Sequence, residues 1–161
     1  MSPKTIQQSL TFLFLFTFST MHAQENTPII TGVMNDTLFQ TKWYTQWNDA
    51  KDYQPNQEVL SKLTELPTAS IQFMVYLGTW CDDSRKHVPV FLDLARRLNW
   101  KYSLIGVNRE KECPLDKKAC KSWDILYLPT IVVLRDGVEL GRMVETPKIS
   151  VEQDLLDILR K

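Results

Sequence analysis

Cys81 and Ser84 are the residues of this chain whose types and spacing can do chemistry. They stand in the segment Trp80-Cys81-Asp82-Asp83-Ser84-Arg85-Lys86-His87, which follows an apolar run from Ile71 to Leu77 broken at Gly78 and Thr79. Asp82, Asp83 and Ser84 supply N-cap chemistry for a helix. Cys81 is therefore expected where a strand hands over to a helix N-terminus. Unpaired backbone N–H groups and the helix dipole favour a thiolate over a thiol at such a place, and a thiolate is a nucleophile toward disulfides. Ser84 would lie one turn on, where its hydroxyl can donate a hydrogen bond to the sulfur but cannot attack a mixed disulfide. A C-x-x-S centre of this kind captures and exchanges a substrate cysteine without completing a net two-electron reduction alone. That favours isomerase-type or monothiol exchange over simple reduction. Asp82 and Asp83 oppose a thiolate electrostatically, while Arg85, Lys86 and His87 favour it. His87 falls about 240° around the helix from Cys81, so it reads as a solvated surface histidine and not as the partner of a Cys–His pair.

The start of the chain bears on the other cysteines. Lys4 gives a short positive region, Leu10 to Phe18 is apolar, and Ala23 offers a small residue at a cut, so residues 1–23 read as a secretory signal peptide. The apolar run is too short to span a bilayer, and no cysteine lies near the cut to carry a lipid, so no membrane anchor is expected. The protein is expected to be exported, to a periplasm or another extracytoplasmic space. Nineteen basic residues balance nineteen acidic ones, which argues against nucleic acid or an anionic membrane as partner. Three cysteines in an exported chain leave one without an intramolecular partner. Cys113 and Cys120 share one polar segment, and a disulfide between them would stabilise that short loop by about 2–3 kcal/mol on the chain-entropy model. Cys81 is then the free thiol. The rival pairing makes Cys113 or Cys120 a distant resolving thiol for Cys81. The spacing of cysteine, histidine and carboxylates gives no metal site, and no cofactor is expected.

The elements that must position Cys81 follow from periodicity. Ile71 to Leu77 is rich in aromatic and β-branched residues and fits a strand buried on both faces. Ahead of it, Asn56 caps a helix with Val59, Leu60, Leu63 and Leu66 on one face. After it, a helix continues through Pro89, which should kink it, with Val90, Phe91, Leu94, Ala95 and Leu98 on one face. Trp100 to Val107 reads as a strand, and a short helix is expected across Leu115 to Trp123. Ile131 to Leu134 and Val138 to Val144 form a hairpin through Asp136-Gly137. Ser150 caps a last helix from Val151 to Leu159, with Glu152 and Asp154 in its first turn. Upstream, Phe39, Trp43 and Trp47 recur at i, i+4, i+8, a helical stripe. Such rings could form a sugar or peptide platform, but packing an N-terminal extension onto the domain is the expected role.

The segment Trp80 to Ser84 with Pro89 beyond it, followed by Tyr127-Leu128-Pro129-Thr130, a strand and Gly137, resembles the thioredoxin family over roughly residues 70 to 160. The resemblance implies an α/β fold: a thioredoxin-like three-layer sandwich with a central mixed sheet, here with an N-terminal helical extension. The expected division is a signal peptide at 1–23, the extension at 24–55 and the thioredoxin-like domain at 56–161. Ser84 stands where the family's resolving cysteine would be, and Val75 where thioredoxins place a buried aspartate. By resemblance Pro129 is cis and sits beside Cys81, and Trp80, Leu128, Pro129 and Thr130 bind an extended substrate strand. The implied function is thiol–disulfide exchange through Cys81 and Ser84 on client proteins with cysteines or disulfides, served by a redox partner the sequence does not name. The alternative is a redox-silent module that binds a peptide in the same groove.

Overall fold

Burial alternates along Ile71–Leu77 in a way that places this strand at the centre of the molecule. Phe73, Val75 and Leu77 point into one core, and Tyr76 points into a second on the opposite face, as side chains of period two require. The computed structural model describes residues 28–41, 44, 47, 50, 52–110 and 123–161. The expected signal peptide, Trp43, Cys113, Cys120 and most of the expected helix from Leu115 lie outside the described residues.

The order of elements is β1 (Gly32–Met34), a 3-10 helix (Asp36–Gln40), α1 (Gln57–Thr64), β2 (Ile71–Leu77), α2 (Asp82–Arg97), β3 (Tyr102–Gly106), β4 (Thr130–Arg135), β5 (Val138–Val144) and α3 (Val151–Leu159). The strands form one mixed five-stranded sheet in the order β1-β3-β2-β4-β5. β2 runs parallel to β3 and antiparallel to β4. α1, α2 and α3 pack in the larger core through Val59, Leu63, Val88, Phe91, Leu94 and Leu155. There Phe73 stacks on Trp100, with ring centroids 4.6 Å apart. The smaller core on the other face gathers Tyr76, Val107, Ile125, Leu128 and Val132, with Trp80 and Cys81 at its margin.

Local chemistry sets the element ends. Asn56 accepts hydrogen bonds from the N–H groups of Glu58 and Val59, and Ser150 accepts one from Gln153, each satisfying donors the first turn leaves over. α2 runs on past Pro89, whose ring nitrogen has no N–H to give the carbonyl one turn back. The β4–β5 turn places Asp136 at φ 51° and Gly137 at φ 80°, the left-handed pair that a two-residue hairpin of matching twist requires.

Ahead of α1 the structure departs from the expected helical stripe. Tyr44, Trp47 and Ala50 fall in 3-10 turns, where side chains eclipse every third residue rather than every fourth. Phe39 stacks on Trp47 at 4.7 Å, and Phe39, Tyr44 and Trp47 are buried in the larger core. β1, which polar flanks and three residues conceal in the sequence, pairs antiparallel with β3 and forms one edge of the sheet.

A buried carboxylate ties this segment down. Glu152, 3% exposed in the first turn of α3, accepts hydrogen bonds from the Tyr53 hydroxyl and, at 3.2 Å, from the Asn56 N–H. Burial alone would raise its pKa. The hydrogen bonds from Tyr53, its own backbone N–H and Asn56 outweigh burial and hold it below the usual carboxylate range. Glu152→Gln should cost about 1–2 kcal/mol at neutral pH, the order expected for hydrogen bonds to a charged group. A folded-state pKa below the unfolded one gives stability that is present above pH ~4.3 and lost as pH falls through the folded value. The difference between parent and variant in urea melts should therefore shrink on acidification; a constant difference would contradict the assignment.

Candidate active site

β2 delivers the chain to a tight turn from Gly78 to Trp80, and Cys81 follows as the N-cap residue of α2, with φ −96° and ψ 124°. A side chain at Gly78 would meet the Trp80 ring at 2.9 Å and the Cys81 Cβ at 3.2 Å, so the turn has room only for glycine. The Cys81 N–H donates to the Gly78 carbonyl at 2.9 Å, and the Gly78 N–H donates to the Ser84 Oγ at 3.2 Å. Ser84 is fully buried. Its hydroxyl oxygen closes the turn from beneath, which differs from the expected role as a donor to the sulfur.

Cys81 carries a free, half-buried thiol. The thiol donates to the Leu128 carbonyl oxygen at 3.4 Å, and the Leu128–Pro129 peptide is cis. Two residues forty-seven positions apart are thereby brought together. The Thr130 hydroxyl donates to the Tyr127 carbonyl at 2.7 Å, and the Glu145 N–H donates to the Pro129 carbonyl at 2.8 Å, which fixes the segment from both ends. Of the residues expected to bind substrate, Trp80 is half-buried and faces the site's rim, whereas the side chains of Leu128, Pro129 and Thr130 are buried. Those three shape the site mainly through their backbone. The exposed apolar surface beside them comes from Leu126, Tyr127 and Val144, which sequence patterning does not single out.

Neighbouring charges frame the thiol. Asp82 pairs with Arg85 at 3.1 Å and Asp83 with Lys86 at 3.7 Å, so the opposing charges at the start of α2 are locally matched. His87 is half-buried, and desolvation pushes its pKa below the usual imidazole value against the pull of Asp83. The Trp80 indole N–H donates to the Val107 carbonyl at 3.0 Å, and the Arg109 guanidinium lies 5.0 Å from the centre of that ring, within cation–π range. Thr79 donates to the Pro28 carbonyl at 3.0 Å and accepts from the Ile30 N–H at 3.1 Å, while Tyr44 donates to the same carbonyl at 2.7 Å. The segment before β1 thus braces the turn that presents Cys81.

Arg142 is a further positioning residue. It grips Glu139 through two hydrogen bonds of 2.7 and 2.6 Å and donates a third, of 2.6 Å, to the Trp123 carbonyl. That third bond fastens the segment leading to Pro129 onto β5. Residues three apart on a regular strand face opposite ways. Here the register shifts between Val133 and Leu134, so that Gly141 and Glu139 are their successive partners, and a bulge of this kind turns Glu139 and Arg142 to one side.

No family model matches the chain. It is 25% identical over 95 residues to a thioredoxin H-type of Picea mariana, covering 58% of this chain and 71% of that protein. A solved protein of unknown function from Pseudomonas aeruginosa is similar at 18% identity and a TM-score of 0.53, over 72% of this chain and 78% of that one. The thioredoxin of Fasciola hepatica matches at 16% identity and a TM-score of 0.45, over 65% and 88%. The fold is thioredoxin-like, an α/β arrangement around a mixed five-stranded sheet.

Proposed function

We propose that this protein exchanges thiols and disulfides with client proteins through Cys81, by a monothiol, isomerase-type route. The observation that carries the reading is the half-buried Cys81 thiol at the start of α2, 3.4 Å from the carbonyl of Leu128, whose chain neighbours Leu126 and Tyr127 are exposed. The Cys81 thiolate attacks one sulfur of a client disulfide. A Cys81–client bond forms as the client's own S–S bond breaks, and the second client sulfur leaves as a thiolate. Another client thiolate then attacks the mixed disulfide and restores Cys81. One disulfide is present before and after, so the cycle needs no electron donor. Ser84, buried under the turn, takes no covalent part and positions Gly78. The test is a ribonuclease with scrambled disulfides in a glutathione buffer. Its activity should return several-fold faster with this protein present; an unchanged rate would contradict exchange and favour a groove that binds peptide without reacting.

Export and a Cys113–Cys120 staple belong to the same reading, because client disulfides form and persist in oxidising compartments. Exported material should have the mass of a chain beginning at Gln24, lowered by the hydrogens that one disulfide removes, with Cys81 open to alkylation. Retention of residues 1–23 would contradict export. A crosslinked peptide containing Cys81 would assign the resolving role to Cys113 or Cys120.

A further inference from the structure

Four segments meet at one end of the sheet. β2 and β3 run parallel and finish there, while β4 starts and β5 returns there, since β4 is antiparallel to both β2 and β5. In the order β3-β2-β4-β5 this end carries Arg109 past β3, Trp80 and Cys81 past β2, Pro129 ahead of β4, and Glu145 past β5. Cys81 and its apolar surroundings therefore lie between Arg109, with Glu110 next to it in the chain, on one side and Glu145 on the other. Arg109 is exposed and rests on the Trp80 ring at 5.0 Å. Among the described residues, ion pairs engage neither Arg109 nor Glu145. Glu145 is exposed at φ 59°, in the left-handed region that favours glycine. A long charged side chain at such a position, with its N–H already spent on Pro129, points to a use for the carboxylate.

We propose that Arg109 and Glu145 give the site a charge polarity, so that an extended client segment is read with an acidic side chain toward Arg109 and a basic one toward Glu145, on either side of its reactive cysteine. The proposal rests on the exchange reading above. The dimensions agree: three strand spacings amount to roughly 14 Å, and four residues of extended chain span roughly 13 Å. In an extended chain the positions two before and two after the cysteine share its face. Those are the positions whose charges this site would read. Exposed charges of this kind set orientation and encounter more than affinity, and salt screens them.

The test uses the mature chain and three short peptides whose cysteine is activated as a 2-pyridyl disulfide. One carries Glu two positions before the cysteine and Lys two positions after, one carries the reverse order, and one carries Gln at both. The Cys81 thiolate attacks the peptide sulfur, a Cys81–peptide disulfide forms, and 2-thiopyridone leaves. Its release is followed by absorbance and corrected for release by Cys81→Ala. One charge order should exchange about five-fold faster than the other at low salt, a factor in keeping with two exposed charge contacts. High salt should level the two rates. Arg109→Glu combined with Glu145→Lys should invert the order, and because the readout is a ratio of rates, a general loss of activity in the variant does not mimic inversion. Equal rates for both orders, with exchange proceeding, would overturn the polarity and leave the exchange reading standing. An unchanged preference in the double variant would overturn the assignment to these two residues. Absence of release from every peptide would overturn both readings.

Discussion

Ser84→Cys is expected to turn the single thiol into a disulfide-forming pair. Residue 84 lies one turn into α2 from the N-cap Cys81, and residues three apart on a helix have neighbouring side chains. Their Cα atoms are then about 5–6 Å apart, within the range a disulfide accepts. The site is fully buried, and the hydroxyl it would lose accepts only the Gly78 N–H. Sulfur is a weaker acceptor, so the variant should lose about 1 kcal/mol when reduced, the net worth of one hydrogen bond. Under a mild glutathione poise, the introduced thiol should pair with Cys81, and alkylation should find neither free. The variant should gain dithiol-coupled reduction of insulin disulfides, and the parent should show none. If the two sulfurs stay apart, the geometry assigned to the start of α2 is wrong.

Cys81→Ala should abolish exchange with client disulfides altogether while leaving the fold in place. The side chain is half-buried at the margin of the smaller core, and its one hydrogen bond runs from a thiol to the Leu128 carbonyl at 3.4 Å, a weak donor at long range. Removing it opens little cavity, so the melting temperature should stay within a few degrees of the parent, corresponding to a cost of about 1 kcal/mol or less. Retained isomerase activity in the variant would place the reactive thiol at Cys113 or Cys120.

Much of the frame is legible in the sequence because local chemistry agrees with the fold. Asn56 and Ser150 announce their helices by capping, Asp136-Gly137 announces its hairpin, and the run from Ile71 to Leu77 reads as a central strand, buried on both faces from Val75 to Leu77 though Gln72 is exposed. The proximity of Cys81 to Leu128 was legible only through the resemblance, since no local pattern spans forty-seven residues. What escapes the sequence depends on contacts between distant segments. β1 is three residues long, and its pairing with β3 is what makes it a strand. The turns holding Tyr44 and Trp47 follow a period of three because their rings pack against Phe39 and the larger core, which overrides the helical spacing of the aromatics. Glu139 and Arg142 share a side only through a bulge. Tyr127 and Leu126 become surface because Leu128 and Pro129 turn inward, and hydrophobicity alone does not tell these neighbours apart.

The measurement that bears most directly on exchange through Cys81 is peptide mapping of the protein after one turnover with a 2-pyridyl-activated cysteine peptide. The attachment site is read by mass spectrometry under non-reducing conditions. One peptide adduct is expected, carried on Cys81 and released by a second thiol, with Cys113 and Cys120 found joined to each other. A protein that binds the peptide yet carries no adduct at Cys81, or carries it on Cys113 or Cys120, would contradict it.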